Sequence, residues 1–108
     1  MNPLAVVTAQ LDAFNEHDLE AFIATYSSDT IVTGVAPEPI MGHAALRAFY
    51  EPRLANPDLR CEIETVVQFG DRWVVAREYV TNAEVRTETI ATFDVVDGLI
   101  QRASMLKS

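Results

Sequence analysis

Arg77 and Tyr79 lie two residues apart in the run "RWVVAREYV", and strict alternation sets both, with Val75, on one face of a strand. If that face looks inward, the guanidinium can hold a ligand carboxylate or enolate through paired N–H donors, and the phenol can donate to a bound carbonyl. If it looks outward, Arg77 pairs with a structural carboxylate or lies on a subunit interface. Glu78 falls on the opposite face and, beside Arg77, suits a dimer contact better than catalysis. His43 follows Gly42 at a helix start, where the dipole keeps the imidazole neutral, as a base must be. At such a position it is first of all a surface residue, and His17 belongs to an interhelix turn. Glu38, between Pro37 and Pro39, is the carboxylate able to reach the lip of a pocket. Cys61 reads as a small, buried, apolar side chain. One cysteine and two histidines form no metal-ligand spacing and no intramolecular disulfide, so neither a metal nor any other cofactor is expected.

Sixteen acidic residues against eight basic ones give a formal charge of −8. The seven arginines and one lysine are scattered singly, so no basic patch exists to displace counterions from a phosphate backbone, and nucleic acid is excluded as a partner. The 108 residues suit one domain, 1–108, with one core. No apolar run approaches the roughly 20 residues that span a bilayer. The opening "MNPLAVVTAQLDAF" has neither a basic region nor a small-residue cleavage site, which points to a cytoplasmic protein without membrane contact.

Three helical segments precede four strands. Asn2 caps and Pro3 opens a helix in which Leu4, Val7, Leu11 and Phe14 recur at helical spacing. Asn15 to His17 interrupts it, and Asp18 caps a second, short helix, "LEAFIATY". Thr30 to Thr33 is a β-branched strand, and "VAPEPIMG" a loop, because each proline biases its predecessor away from helix. The third helix, "HAALRAFYEPRLA", carries Leu46, Phe49, Tyr50 and Leu54 near one face until Pro52 kinks or ends it. From Leu59 the chain alternates as "LRCEIETVVQF", "RWVVAREYV", "RTETIATFDVV" and "LIQRASML", with Asp97-Gly98 the strongest hairpin signal. Helices first and strands after imply an α+β domain. The second long strand is apolar on both faces, so a second copy of the sheet is the expected cover and the protein a homodimer.

In this order and spacing, "AFNEHDLEAFIATYSSDTIV", "PEPIMGHAALRAFY" and "FDVVDGLIQRASML" resemble the SnoaL-like, nuclear-transport-factor-2-like superfamily over essentially the whole chain. The resemblance implies a cone-shaped, cystatin-like α+β fold, three helices on a curved antiparallel sheet, with a pocket between them. Of the enzymes on this fold, ketosteroid isomerase matches best. It binds the enolate with a tyrosine on the first helix and a protonated aspartic acid on a late strand, and moves the proton with an aspartate after the first strand. Matched on Asn15, the tyrosine position falls on Gln10; matched on "DTIV" and "PEP" with one residue deleted, the base falls on Gly34; matched on Phe93 and Asp97-Gly98, the acid falls on Ala91. None of the three transfers a proton near neutral pH, so isomerisation of a β,γ-unsaturated ketosteroid is expected to be negligible. The arginine and two aspartates of limonene-epoxide hydrolase fall on Tyr79, Thr81 and Met105, and the inward positions offer no clear counterpart of the aspartate of polyketide cyclases.

Phe49, Phe93 and Met105 match apolar wall positions of the family, so the resemblance implies a mainly apolar pocket for a small hydrophobic molecule, bordered by Gln10, Gly34, Phe49, Arg77, Tyr79, Ala91, Phe93 and Met105. An alternative is an isomerase, cyclase or hydrolase on a steroid-like or polyketide-like carbonyl compound, in which Arg77 and Tyr79 act with Glu38 or His43. A third is a scaffold whose interior is filled by side chains. The deciding observation is a void faced by an unpaired Arg77.

Overall fold

The computed structural model describes residues 2–107. Along the chain run α1 (Pro3–Asn15), α2 (Leu19–Ala24), β1 (Tyr26–Thr33), β2 (Ile40–Met41), α3 (Gly42–Leu54), β3 (Leu59–Phe69), β4 (Trp73–Asn82), β5 (Val85–Val96) and β6 (Leu99–Lys107). The strands form one sheet in the order β2-β1-β6-β5-β4-β3. From β3 to β6 it is the expected antiparallel meander, but β1 joins β6 in parallel, so the sheet is mixed rather than antiparallel throughout.

Local chemistry accounts for the helix ends. The Asn2 side chain accepts from the Leu4 amide at 2.8 Å ahead of Pro3, and Asp18 accepts from Ala21 at 3.1 Å. Pro52 stands inside α3, which continues only to Leu54. On α1 the buried face centres on Val7 and Phe14 and includes Val6, Ala13 and the polar Gln10, while Leu4 and Leu11 flank it half-buried. An aromatic cluster ties the three helices to β1: the Phe22 ring lies 4.6 Å from Tyr50, 5.2 Å from Tyr26 and 6.0 Å from Phe14.

β1 is longer than its β-branched run suggests, because its first half is stitched to β6 by side chains. Tyr26 pairs with Ile100, and the Thr30 hydroxyl lies 3.1 Å from the Ile100 carbonyl and 3.2 Å from that of Gln101. Asp97 and Gly98, both at positive φ (53° and 77°), close the β5–β6 hairpin in the left-handed conformation that an Asp-Gly pair tolerates best.

β3, at the edge, is held at its open side by Asn15. The side-chain amide donates to the Cys61 carbonyl at 2.9 Å and accepts from the Cys61 amide at 2.8 Å, so one side chain acts as a strand neighbour. Asn15→Ala leaves both backbone groups unpaired; a loss of about 2 kcal/mol in urea unfolding is expected, with amide-exchange protection lost at Cys61 first. Unchanged protection at Cys61 would overturn this assignment. His17 Nε2 lies 2.8 Å from the Leu59 carbonyl and His43 Nε2 2.8 Å from that of Tyr26, so both imidazoles pin helix starts and turns to strands.

Candidate functional site

Between the helices and the inner face of the sheet lies a cavity of about 410 Å³, within the range of small-molecule sites. Its deep wall carries Gln10 and Phe14 from α1, Tyr50 from α3, and Cys61, Glu78 and Thr89 from the sheet. Leu11, Val35, Phe49, Leu59, Val80 and Met105 supply apolar surface. Exposed side chains of Arg53, Asn82, Val85 and Lys107 border the mouth.

The carboxyl of Glu78 is the chemically distinctive group. It is only 6% exposed, and burial raises its pKa from 4.5 to about 7, with a hydrogen bond from the Cys61 thiol acting weakly the other way. No arginine or lysine forms an ion pair with it among the described residues. Burial above all, and then the Glu78 charge, push the Cys61 thiol up, which keeps it protonated as a donor to Glu78 and inert as a nucleophile.

Tyr50 presents a second polar group. Its ring is fixed by Phe22 and by Phe49, 5.0 Å away, and its hydroxyl makes no hydrogen bond among the described residues. Burial, opposed by the nearby Arg53 charge, raises the phenol, so it serves only as a neutral donor. The Gln10 amide donates to the Tyr26 hydroxyl at 3.4 Å and lines the cavity from the opposite helix.

Of the positions picked from the sequence, Gln10, Phe49 and Met105 line this cavity. Ala91 and Phe93 are fully buried in the core on the same side of the sheet, Ala91 opposite Ala76 and Met105. Gly34 ends the first strand with its α-carbon against the Met105 backbone. Glu38 is exposed on the loop.

Arg77 and Tyr79 stand on the outer face, which corrects the inward reading. There Arg77 bridges Glu64, at 3.0 Å, and Glu88, while the Tyr79 hydroxyl reaches Glu88 at 3.5 Å. Thr81, two residues on, shares that face. The reason is register. A shift of one residue reverses every side chain, and β4 is apolar enough on both faces for pattern alone to leave the choice open.

For the same reason Glu78, expected on the outer face, stands on the inner one. Only the pairing of β4 with β5 is local. Closing β4 and β5 with a two-residue turn at Ala83-Glu84 pairs Asn82 with Val85, and counting back sets Ala76 opposite Ala91 and Glu78 opposite Thr89. A β-bulge between Ile63 and Thr65 hides the matching signal on β3: Cys61 and Ile63 face inward, but Thr65, Val67 and Phe69 face outward.

Asp94 is also buried, at 2% exposure, yet it is clamped by Arg72 at 2.6 Å and Arg102 at 3.1 Å. The Arg72 hydrogen bond is the main reason its pKa is lowered, and the group is ionised and structural. Among the described residues no group of His, Cys, Asp and Glu is arranged to hold a metal ion, and no helix is long and apolar enough to cross a membrane.

Residues 7–103 match the profile of the SnoaL-like domain. No curated protein matches the sequence. Among solved structures, the chain is similar to an uncharacterised cystatin-fold protein from Novosphingobium aromaticivorans, with a TM-score of 0.88 and 19% identity over 98% of both chains. It is similar to a protein from Kribbella flavida described as a candidate ketosteroid isomerase, with a TM-score of 0.83 and 22% identity over 96% of this chain and 76% of that one. A candidate polyketide cyclase from Pseudomonas putida has a TM-score of 0.80 and 26% identity, covering 100% of this chain and 92% of its own.

Proposed function

We propose, from the premise that the chain belongs to the SnoaL-like domain family, that its cavity binds a small hydrophobic carbonyl compound and that Glu78 moves a proton on it, as in an isomerase or cyclase. The observation that carries this reading is a carboxyl buried on the wall of the cavity with a pKa near 7, the value a general base needs at neutral pH. The Glu78 carboxylate takes a proton from the carbon next to the ligand carbonyl. The C–H electron pair becomes a carbon–carbon double bond, and the carbonyl π pair moves onto oxygen, where the Tyr50 hydroxyl donates a hydrogen bond. The carboxylic acid formed on Glu78 then returns the proton, to the same carbon or to one conjugated with it.

This set stands on β4 and α3, away from the three positions matched to ketosteroid isomerase. The assay is α-deuteration of β-tetralone in D₂O, followed by NMR. Exchange above background that rises with pH through about 7 supports the proposal, and exchange no faster than in Glu78→Gln would sink it.

The outer face completes the proposal with a partner. Phe69 (55% exposed), Leu106 (71%), Trp73, Val67 and Ile90 present apolar surface around the Arg77 ion pairs. We assign this face to a second copy of the chain, since an exposed apolar sheet face is the self-complementary kind of surface that two-fold dimers use. Light scattering is expected to give twice the 12.0 kDa chain mass for the wild type and the single mass for Ile90→Glu. A wild type already at the single mass would exclude the dimer.

A further inference from the structure

Basic side chains are scarce in this acidic protein, and half of the eight have carboxylate partners. Arg47 pairs with Glu20, Arg72 and Arg102 with Asp94, and Arg77 with Glu64 and Glu88. Arg86 stacks over Tyr79, 3.9 Å from its ring, and Arg60 stands opposite Thr81, both on the outer side of the sheet. Arg53 and Lys107 are different. Each borders the cavity and neither forms an ion pair among the described residues.

They approach the mouth from opposite walls, Arg53 from the last turn of α3 and Lys107 from the end of β6. Arg53 is held in place: its guanidinium carbon lies 3.5 Å over the Phe49 ring, and Nη1 donates to the Phe49 carbonyl at 2.9 Å. A guanidinium has five N–H donors, so several remain for a ligand. The charge also lies close enough to Tyr50 to oppose the effect of burial on its hydroxyl. A polar axis therefore runs from Glu78 at depth, past Tyr50, to two cations at the rim without ion-pair partners among the described residues, with apolar walls between.

We propose that the ligand is an amphipathic carboxylic acid whose ionised carboxylate is held at the mouth by Arg53 and Lys107 while its apolar body fills the cavity. The inference rests on the pocket reading above and adds the chemical class of the ligand to it. A carboxylate fits the rim because a guanidinium and an ammonium neutralise it without requiring full desolvation of either. An amine or a dication would meet those two charges with like charge.

The test uses naphthylpentanoic acid, its N-methylamide and the corresponding amine, titrated by naphthalene fluorescence. The acid is expected to bind about tenfold more tightly than the amide, with the amine weakest. The advantage of the acid should shrink between about 0.05 M and about 0.5 M salt. Arg53→Gln with Lys107→Gln should bring acid and amide to the same affinity, while Arg53→Lys keeps the preference. Lys107→Gln alone, at the exposed end of β6, should weaken acid binding without altering the thermal melt.

Equal binding of acid and amide to the wild type, or a preference that survives the double substitution, overturns the carboxylate assignment and leaves the pocket reading standing. Binding of neither compound overturns both.

Discussion

Glu78→Gln is expected to abolish proton transfer and at the same time to make the protein more stable above neutral pH. Loss of a positioned base slows α-proton exchange by about 10²–10⁴-fold. The stability gain follows from linkage. Glu78 has a pKa of about 7 in the folded protein against the ordinary glutamate value of 4.5 in the unfolded chain. Between those values the folded state holds a proton that the unfolded chain has released, so stability present below about 4.5 is withdrawn as pH rises through about 7. Above that window, an ionised carboxylate in the apolar wall costs about 3 kcal/mol relative to the protonated form. Glutamine carries no charge in either state and escapes that cost.

Urea unfolding should therefore show Glu78→Gln more stable than the wild type at pH 8, by up to about 3 kcal/mol, with the difference closing toward pH 4. The two curves running parallel from pH 4 to pH 8 would mean that the carboxyl is solvated and of no use as a neutral-pH base. A group retained at a cost in stability is the usual mark of a functional site.

The second large effect belongs to Gly34. It has φ +89°, and a β-carbon built there would lie 1.8 Å from the Met105 carbonyl oxygen and 2.8 Å from its carbon. Both atoms are backbone, in the strand that β1 pairs with, so relief requires parting β1 from β6. Gly34→Ala is expected to cost about 4 kcal/mol or more, a large part of the roughly 5–15 kcal/mol that stabilises a domain. Gly34→Asp, which would supply the base that the isomerases carry at the matched position, is expected to be insoluble or unfolded rather than active. The measurement is thermal and urea unfolding of Gly34→Ala. A loss of less than about 1 kcal/mol would show that the lip relaxes and that a side chain is tolerated there. Glycine at this position is thus demanded by the backbone, whatever the site behind it does.

The three helices, the long strands, both side-chain helix caps, the Asp97-Gly98 hairpin and the superfamily are legible because each depends on near neighbours in the chain, whereas the two-residue β2 falls inside the run read as a loop. Asn2 ahead of Pro3, Asp18 three residues before Ala21, and two residues able to adopt positive φ are local facts. The Asn15 clamp on Cys61 spans 46 positions and has no local signal. The parallel pairing of β1 with β6 was missed for the same reason. Phe49 and Met105, matched to apolar wall positions, and Gln10, matched to the isomerase tyrosine, line the cavity, whereas Phe93 of the same wall set lies in the core; in the sequence Tyr50 reads only as part of an apolar stripe.

What the sequence determined by itself was therefore the three helices, the long strands and the family. What only tertiary structure decided was which side of β4 meets the helices. Along a strand apolar on both faces the two choices differ by one residue of register, and that register is set by the Ala83-Glu84 turn, the β3 bulge and the Asn15 clamp together. That single choice buries Glu78 in the cavity and leaves Arg77 outside among carboxylates, because nonlocal contacts, and not the composition of the strand, fix where each charge stands.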